Sequence, residues 1–213
     1  MKKLILIASI VCVANLSFAQ SEKYMTAMKS NISLMDSMMS KGNALELANS
    51  FERIANAEKT QWLPYYYASY CTITQAYMEK DNSKKDAIAD NAQQLIDKAD
   101  SISGKENSET YVVKSMIATV HMTVDPQSRY MTFGALITEY LEKSKSLDST
   151  NPRPVLVKAE NTFYTPEQFG GGKDAAKSLF DQAKALDDNF KPETEISPNW
   201  GKNAINYFLS QYK

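Results

Sequence analysis

The sequence predicts an all-α protein built as a stack of antiparallel helical hairpins, and three observations carry that prediction. Apolar residues recur at spacings of three and four along nearly the whole chain. No segment shows sustained period-two alternation, so no sheet is expected. Only 7 of the 213 residues are Gly and 7 are Pro, which leaves long runs of residues that favour helix.

The chain opens on Met1-Lys2-Lys3, runs apolar from Leu4 to Val13 and then turns small and polar. That is the pattern of a signal peptide, with Ser17 and Ala19 as the small residues that place cleavage after Ala19. The apolar run is about half of the roughly 20 residues a membrane-spanning helix needs. No second long apolar stretch follows, so residues 20–213 are expected to form one soluble, exported domain, in the periplasm or outside the cell. Cys12 does not read as a lipid anchor, because Val11 stands where a small residue is required.

The charge balance narrows the functions. Lys and Arg number 24 against 25 Asp and Glu, so there is no overall basic field for nucleic acid or an anionic membrane. Past the leader the chain keeps one cysteine, Cys71, and no intramolecular disulfide can form. The fold has to be held by packing.

Met25, Met28, Ile32, Met35 and Met39 form one stripe on a first helix, from about Ser21 to Ser40, which stops at Lys41-Gly42-Asn43. Leu45, Leu47, Phe51, Ile54 and Ala55 mark a second helix. The third carries Trp62, Leu63, Tyr66, Tyr67, Tyr70, Ile73 and Tyr77, with Pro64 in its first turn. Asp81-Asn82-Ser83 caps a fourth, with Ala87, Ile88, Ala92, Leu95, Ile96 and Ala99 inward and Gly104 at its end. Ser108 opens a fifth, with Tyr111, Val112, Met116 and Val120, and Asp125-Pro126 ends it. Tyr130, Phe133, Leu136, Ile137, Tyr140, Leu141 and Leu147 give a sixth, and Asn151-Pro152 starts a seventh that reaches about Tyr164. Thr165 to Gly172 is a loop. Ala175, Ala176, Leu179, Phe180, Ala183 and Leu186 form an eighth helix, Pro192 to Pro198 an extended connector, and Trp200, Ala204, Ile205, Tyr207 and Phe208 a ninth.

The even-numbered helices repeat one stripe: Ala176, Phe180, Ala183; Ala92, Ile96, Ala99; and, more loosely, Ile137, Leu141, Ser144 and Leu47, Phe51, Ile54. The middle residues, 51, 96, 141 and 180, lie 45, 45 and 39 residues apart. Small residues admit the paired helix and the large one fills the space between successive hairpins.

In these features the chain resembles the tetratricopeptide repeat family. Ala176, Phe180 and Ala183 match that family's second helix, Trp200, Ala204 and Tyr207 match its first, and Leu147 to Arg153 resembles its inter-repeat turn with Ser149 in place of Pro. The interval is longer than the family's roughly 34 residues. Phe163 to Glu167, Phe169 to Lys173 and Pro198 to Gly201 are similar to exported tetratricopeptide-like proteins of Bacteroidetes. The resemblance implies a right-handed α–α superhelix of about nine helices whose first helices line a concave groove. If Ala68, Ser115 and Ala159 are the small residues of those helices, the groove positions are Trp62, Tyr65, Ser69 and Thr72; Glu109, Val112, Met116 and Thr119; and Arg153, Leu156, Glu160 and Phe163. Partner contacts are therefore expected from Trp62, Tyr65, Arg153, Glu160 and Phe163.

No catalytic constellation is visible. His121 is the only histidine, and Met122-Thr123-Val124 bring no further metal-binding side chain beside it. Cys71 sits in an aromatic helix and reads as a buried small hydrophobe. Gly170-Gly171-Gly172-Lys173 departs from a phosphate loop, with Glu167 where that motif has Gly and Asp174 where it has Ser or Thr. Asp187-Asp188 falls at a helix end with nothing to shift a proton affinity. The expectation is a non-enzymatic scaffold without metal or cofactor that binds a protein or peptide in its groove. The alternative is a carrier of a small apolar or sugar ligand, enclosed between the Met-rich first helix and the tyrosines.

Overall fold

The computed structural model describes residues 22–212; the expected leader and cleavage point lie outside them. The elements are α1 (22–40), α2 (Ala44–Ala57), α3 (Trp62–Met78), α4 (Asn82–Ser103), α5 (Ser108–Val124), α6 (Pro126–Leu147), α7 (Arg153–Tyr164), a 3-10 turn (Glu167–Phe169), α8 (Lys173–Asp187) and α9 (Lys202–Ser210). There is no strand among the described residues. From α2 onward nearly every helix packs on the next, and α3 on α5 and α5 on α7 as well. That pairing is an α–α superhelix: hairpins stacked so that the odd-numbered helices form one layer.

The local signals are those the residues call for. Asp81 accepts a hydrogen bond from the Ser83 amide at 3.1 Å, and Asn107 accepts one from the Glu109 amide at 2.9 Å, each capping a helix start. Pro126 begins α6 behind Asp125, whose side chain accepts from the Ser128 amide. Gly104 closes α4 in the left-handed conformation, with φ 64°, where a side chain would be strained. Gly171 leaves no room for a Cβ, which would lie 2.3 Å from the Thr165 carbonyl oxygen.

The small-large-small stripes face inward. Ala92, Ile96, Ala99, Ala176, Phe180 and Ala183 are fully buried. Where the third stripe has Ser144, its hydroxyl donates to the Ser108 carbonyl oxygen at 2.9 Å, so the polar atom is satisfied inside the core. One hydrophobic cluster joins α1 to α6, with Val157 and Ile196 added. A second joins α7, α8 and α9 around Phe180 and Phe208. Trp200 packs against both.

Three expectations change. Tyr65, Tyr66, Tyr67 and Tyr70 are all buried, although consecutive residues point around the helix. The reason is that α3 is enclosed on every side from Leu63 to Ile73. Tyr65 turns to Lys98 of α4, and Tyr67 stacks on Phe51 of α2 at 5.0 Å and donates to the Ile196 carbonyl oxygen at 2.9 Å. Tyr66 reaches Glu109 of α5, and Tyr70 stacks on Trp200 at 4.3 Å. Trp200 lies before α9 rather than in it, and Tyr207 is 61% exposed, so Ile205 and Phe208 are the residues of α9 that cover α8. The connector is not extended throughout: Thr194 to Ser197 makes a turn, closed by the Ser197 amide on the Thr194 carbonyl oxygen at 3.1 Å.

The connector and α9 also return to the first helix. Asn203 donates to Asp36 of α1 at 2.7 Å, and Lys29 of α1 pairs with Glu195. The two ends of the stack thus meet.

Candidate functional site

The C-terminal ends of α3, α5 and α7 converge on Thr119. Tyr77 of α3 donates its hydroxyl to the Met116 carbonyl oxygen at 3.1 Å and lies within reach of the Thr119 hydroxyl. Asn161 of α7 donates to that same hydroxyl at 3.2 Å. This fastening sets the neighbouring residue, Glu160, among aromatic side chains.

Glu160 is partly exposed, yet its carboxyl is desolvated, which raises it to about 7. Among the described residues it has no hydrogen-bond or ion-pair partner. The Tyr77 phenol is pushed up by burial first and then by Glu160, and that of Tyr70 by burial, then Cys71, then Glu160. Tyr164, one turn along α7, is raised by desolvation, then by Glu160, then by Tyr207. Tyr70, Tyr77 and Tyr164 therefore feel one carboxyl, and Tyr207 stands next to Tyr164.

Three of those rings reach solvent: Tyr77 is 43% exposed, Tyr164 72% and Tyr207 61%. Phe163 supports Tyr164, with its ring 5.2 Å from Tyr164, 5.0 Å from Phe208 and 6.2 Å from Phe180, each edge to face. Phe208 stacks on Phe180 at 4.6 Å and holds Tyr207 at 5.3 Å. Tyr164 and Tyr207 thus stand on a packed aromatic base.

The expected groove residues separate. Glu160 and Phe163 belong to this face. Trp62, at the other end of α3, is partly exposed and meets Tyr66 edge-on at 5.8 Å. Tyr65, 8% exposed, is turned to α4. Arg153, expected in the groove, is 1% exposed; its guanidinium is drawn inward by Glu109, which it grips through Nε at 2.8 and 3.0 Å. Tyr77 and Tyr207 escaped sequence reading because each fits an inward helical stripe, and Tyr164 because it only marks the end of α7. The signal that distinguishes them is their place at the ends of α3 and α7 and on the terminal helix, where no further hairpin covers them.

Other chemistry-bearing groups are engaged elsewhere. His121 stacks on Phe133 at 5.1 Å, with Nδ1 2.8 Å from Asp86. Arg129 holds the same carboxylate with both terminal nitrogens, at 2.6 and 2.9 Å. Cys71 is fully buried and its thiol is pushed up by desolvation. No group of three metal-binding side chains is assembled among the described residues, and none of their helices is long and apolar enough to cross a membrane. A cleft of about 50 Å3 between α6, α7 and α8, lined by Leu141, Pro154, Val155 and Leu179, has room for little more than water.

Fold and face together define a helical superhelix with an exposed aromatic platform built around a lone carboxyl. The chain is similar to the HusA haemophore from Porphyromonas gingivalis, at 30% sequence identity and a TM-score of 0.77, over 89% of this chain and 92% of that one. It belongs to the family of that protein. No family model matches the chain, and no curated protein does.

Proposed function

We propose that this chain is an exported, non-catalytic carrier of a flat apolar small molecule of the haem class, held on the tyrosine face around Glu160. The observation that carries the reading is the 30% identity with a haemophore across 92% of that chain. The face suits such a ligand physically. Aromatic rings bury large apolar area with little loss of side-chain freedom, and they stack on other flat rings. Tyr164, Tyr207 and Phe163 offer that surface on a packed base, and Tyr77 is exposed at the end of α3. His121 is engaged by Asp86 and Cys71 is buried away from this face.

The test is a titration of the purified protein with haemin, followed by the porphyrin absorption band and by quenching of tyrosine and tryptophan emission. Saturable binding at one equivalent, with a Kd of about a micromolar or tighter, is expected. An absorption spectrum that stays that of free haemin throughout would remove the carrier reading.

A protein or peptide partner on the same face is the second reading, and the open exposure of Tyr164 and Tyr207 favours it. The tetratricopeptide relationship is proposed with it, on the inward stripes of α4 and α8. Export is proposed on the leader, with cleavage after Ala19, which the mass of the mature protein would reveal.

A further inference from the structure

We propose that one edge of the helical stack docks reversibly on a lipid surface whose headgroups carry no net charge. The edge is formed by the turns that join α3 to α4, α5 to α6 and α7 to α8. The inference goes beyond the carrier reading and does not depend on it.

Antiparallel hairpins put those three turns on one side of the stack and the turns α2–α3, α4–α5 and α6–α7 on the other. Exposed apolar side chains are divided unequally between the two sides. Tyr77 and Met78 end α3, and Tyr130 and Met131 lie in the first two turns of α6. Tyr164 ends α7, and Phe169 lies in the 3-10 turn after it. All six are exposed. At the opposite turns Leu147 is the one exposed large apolar side chain among the described residues. Exposed apolar residues scattered singly are ordinary, whereas their concentration on one edge marks a surface that meets another phase.

The turns hold their shape without these side chains. Asp86 at the start of α4 is gripped by Arg129 of α6 at 2.6 and 2.9 Å and meets His121 at the end of α5, 2.8 Å away. Three helices are thus fixed together beside Tyr130 and Met131. The turn that carries Phe169 is closed by its own backbone. The Phe169 amide donates to the Pro166 carbonyl oxygen at 2.9 Å, and the Gly172 amide to that of Thr162 at 2.9 Å. Met131 is 82% exposed and Phe169 72%, so their apolar area adds little to the core and is left to be buried elsewhere.

Arrangement and charge point to what buries it. The six side chains sit on the tips of three successive hairpins, whose neighbouring helices lie about 8–10 Å apart. They are separate projections and not a pocket. A protein partner needs a continuous, closely fitted surface, whereas a fluid lipid interface closes around separate projections. Tyrosine suits that boundary, because its ring is apolar and its hydroxyl stays wet. Residues 79–86, 125–129 and 167–174 hold five Lys or Arg against six Asp or Glu. That balance lacks the basic excess that draws a protein to anionic lipid, and neutral headgroups do not repel it. The lysine stems can lie along the apolar layer and keep their charge in water.

The experiment floats the purified protein with phosphatidylcholine vesicles and with mixed phosphatidylcholine–phosphatidylglycerol vesicles, in low and high salt. The wild type is expected to partition onto both to within about twofold, with little effect of salt. Met131→Ser with Phe169→Ser should lower the partition coefficient by about tenfold, and Phe169→Ser alone by a smaller factor. Both should keep the wild-type melting midpoint, because the replaced side chains face water. Leu147→Ser, on the opposite edge, should float as the wild type does. A wild type that floats with neither vesicle overturns the inference. So does a folded double variant that floats undiminished, an equal loss in Leu147→Ser, or flotation confined to the phosphatidylglycerol vesicles and abolished by salt. A dimer that the double variant breaks, with no flotation of the wild type, gives this edge to a second copy and overturns it too. Tyr77 and Tyr164 are left intact in these variants because they also belong to the ligand face, so the haemin titration and the flotation fail independently.

Discussion

Arg153 and Glu109 form an ion pair inside the protein, with side chains 1% and 12% exposed. The same carboxylate accepts hydrogen bonds from Asn151 at 2.8 Å and from the Tyr66 hydroxyl at 3.1 Å, so one group fastens α3, α5 and the start of α7. Phe190 covers the guanidinium at 4.5 Å. Breaking such a pair from one side leaves a buried charge without its partner. Arg153→Met should cost about 3–5 kcal/mol, whereas Arg153→Met with Glu109→Leu should cost clearly less. Urea unfolding of the three proteins checks this, and a double variant as damaged as the single would show that geometry rather than charge is at stake.

Trp200 works in the same region from the other end of the chain. It stacks on Tyr70 at 4.3 Å and donates its indole N–H to the Tyr66 hydroxyl at 2.8 Å, bridging the two hydrophobic clusters. Trp200→Ala should cost about 3 kcal/mol or more, and Trp200→Phe should lose only the hydrogen bond and part of the stack, about 1–2 kcal/mol. Equilibrium unfolding followed by circular dichroism measures both.

Glu160 links stability to pH. Its folded carboxyl is raised from the ordinary value of 4.5 to about 7, so the unfolded chain gives up that proton first as pH rises. The wild type should lose stability relative to Glu160→Gln between about pH 4.5 and 7 and stay lower above that, by on the order of 2–3 kcal/mol. At pH 4 the two should melt together. Parallel thermal melts at pH 4 and pH 8 decide it, and a constant offset at both would assign the difference to something other than titration.

Asp86 is linked in the opposite sense. Its carboxyl is held down at about 2, first by the Arg129 hydrogen bond and then, against some desolvation, by His121. Its stabilising contribution is present above about pH 4 and is lost as pH falls through 2. Because the side chain is 37% exposed, solvent screening reduces that contribution to about 1 kcal/mol. The stability gap between wild type and Asp86→Asn at pH 6 should therefore narrow on acidification toward pH 2, as urea titrations at each pH would record.

The exposed tyrosines separate binding from folding. Replacing Tyr164 and Tyr207 by Ala removes two rings that face solvent, so the midpoint of unfolding should change little, within about 1 kcal/mol. Haemin affinity should fall by about tenfold or more, since those rings supply much of the contact surface. The two measurements on one double variant test whether this face carries the ligand.

The hairpin stack was legible because its determinants are local. Ala92, Ile96 and Ala99 announce a close helix pair by spacing alone, and Asp81, Asn107 and Gly104 mark helix boundaries by chemistry that needs no distant partner. Glu160 and Phe163 were legible as members of one face because residues three apart on a helix share a side. Arg153 was misread by the same rule. Its position on α7 agrees with the groove, but a carboxylate 44 residues earlier in the chain, Glu109, turns the side chain into the core. Spacing cannot report a partner on another helix.

Composition and periodicity thus settled that this chain is helical, where most of its helices begin and end, and which stripe of α4 and α8 packs inward. Each is a property of a few neighbouring residues. The tertiary structure decided that α3 is enclosed on all sides from Leu63 to Ile73, that Trp200 joins Tyr66 and Tyr70 across 134 and 130 positions, and that Asn203 returns to Asp36. It also decided that Glu160 stands near Tyr70, Tyr77 and Tyr164 with no ion-pair partner among the described residues. The physical reason is desolvation: whether a charged or aromatic side chain is costly, satisfied or available depends on what the rest of the fold removes from water around it.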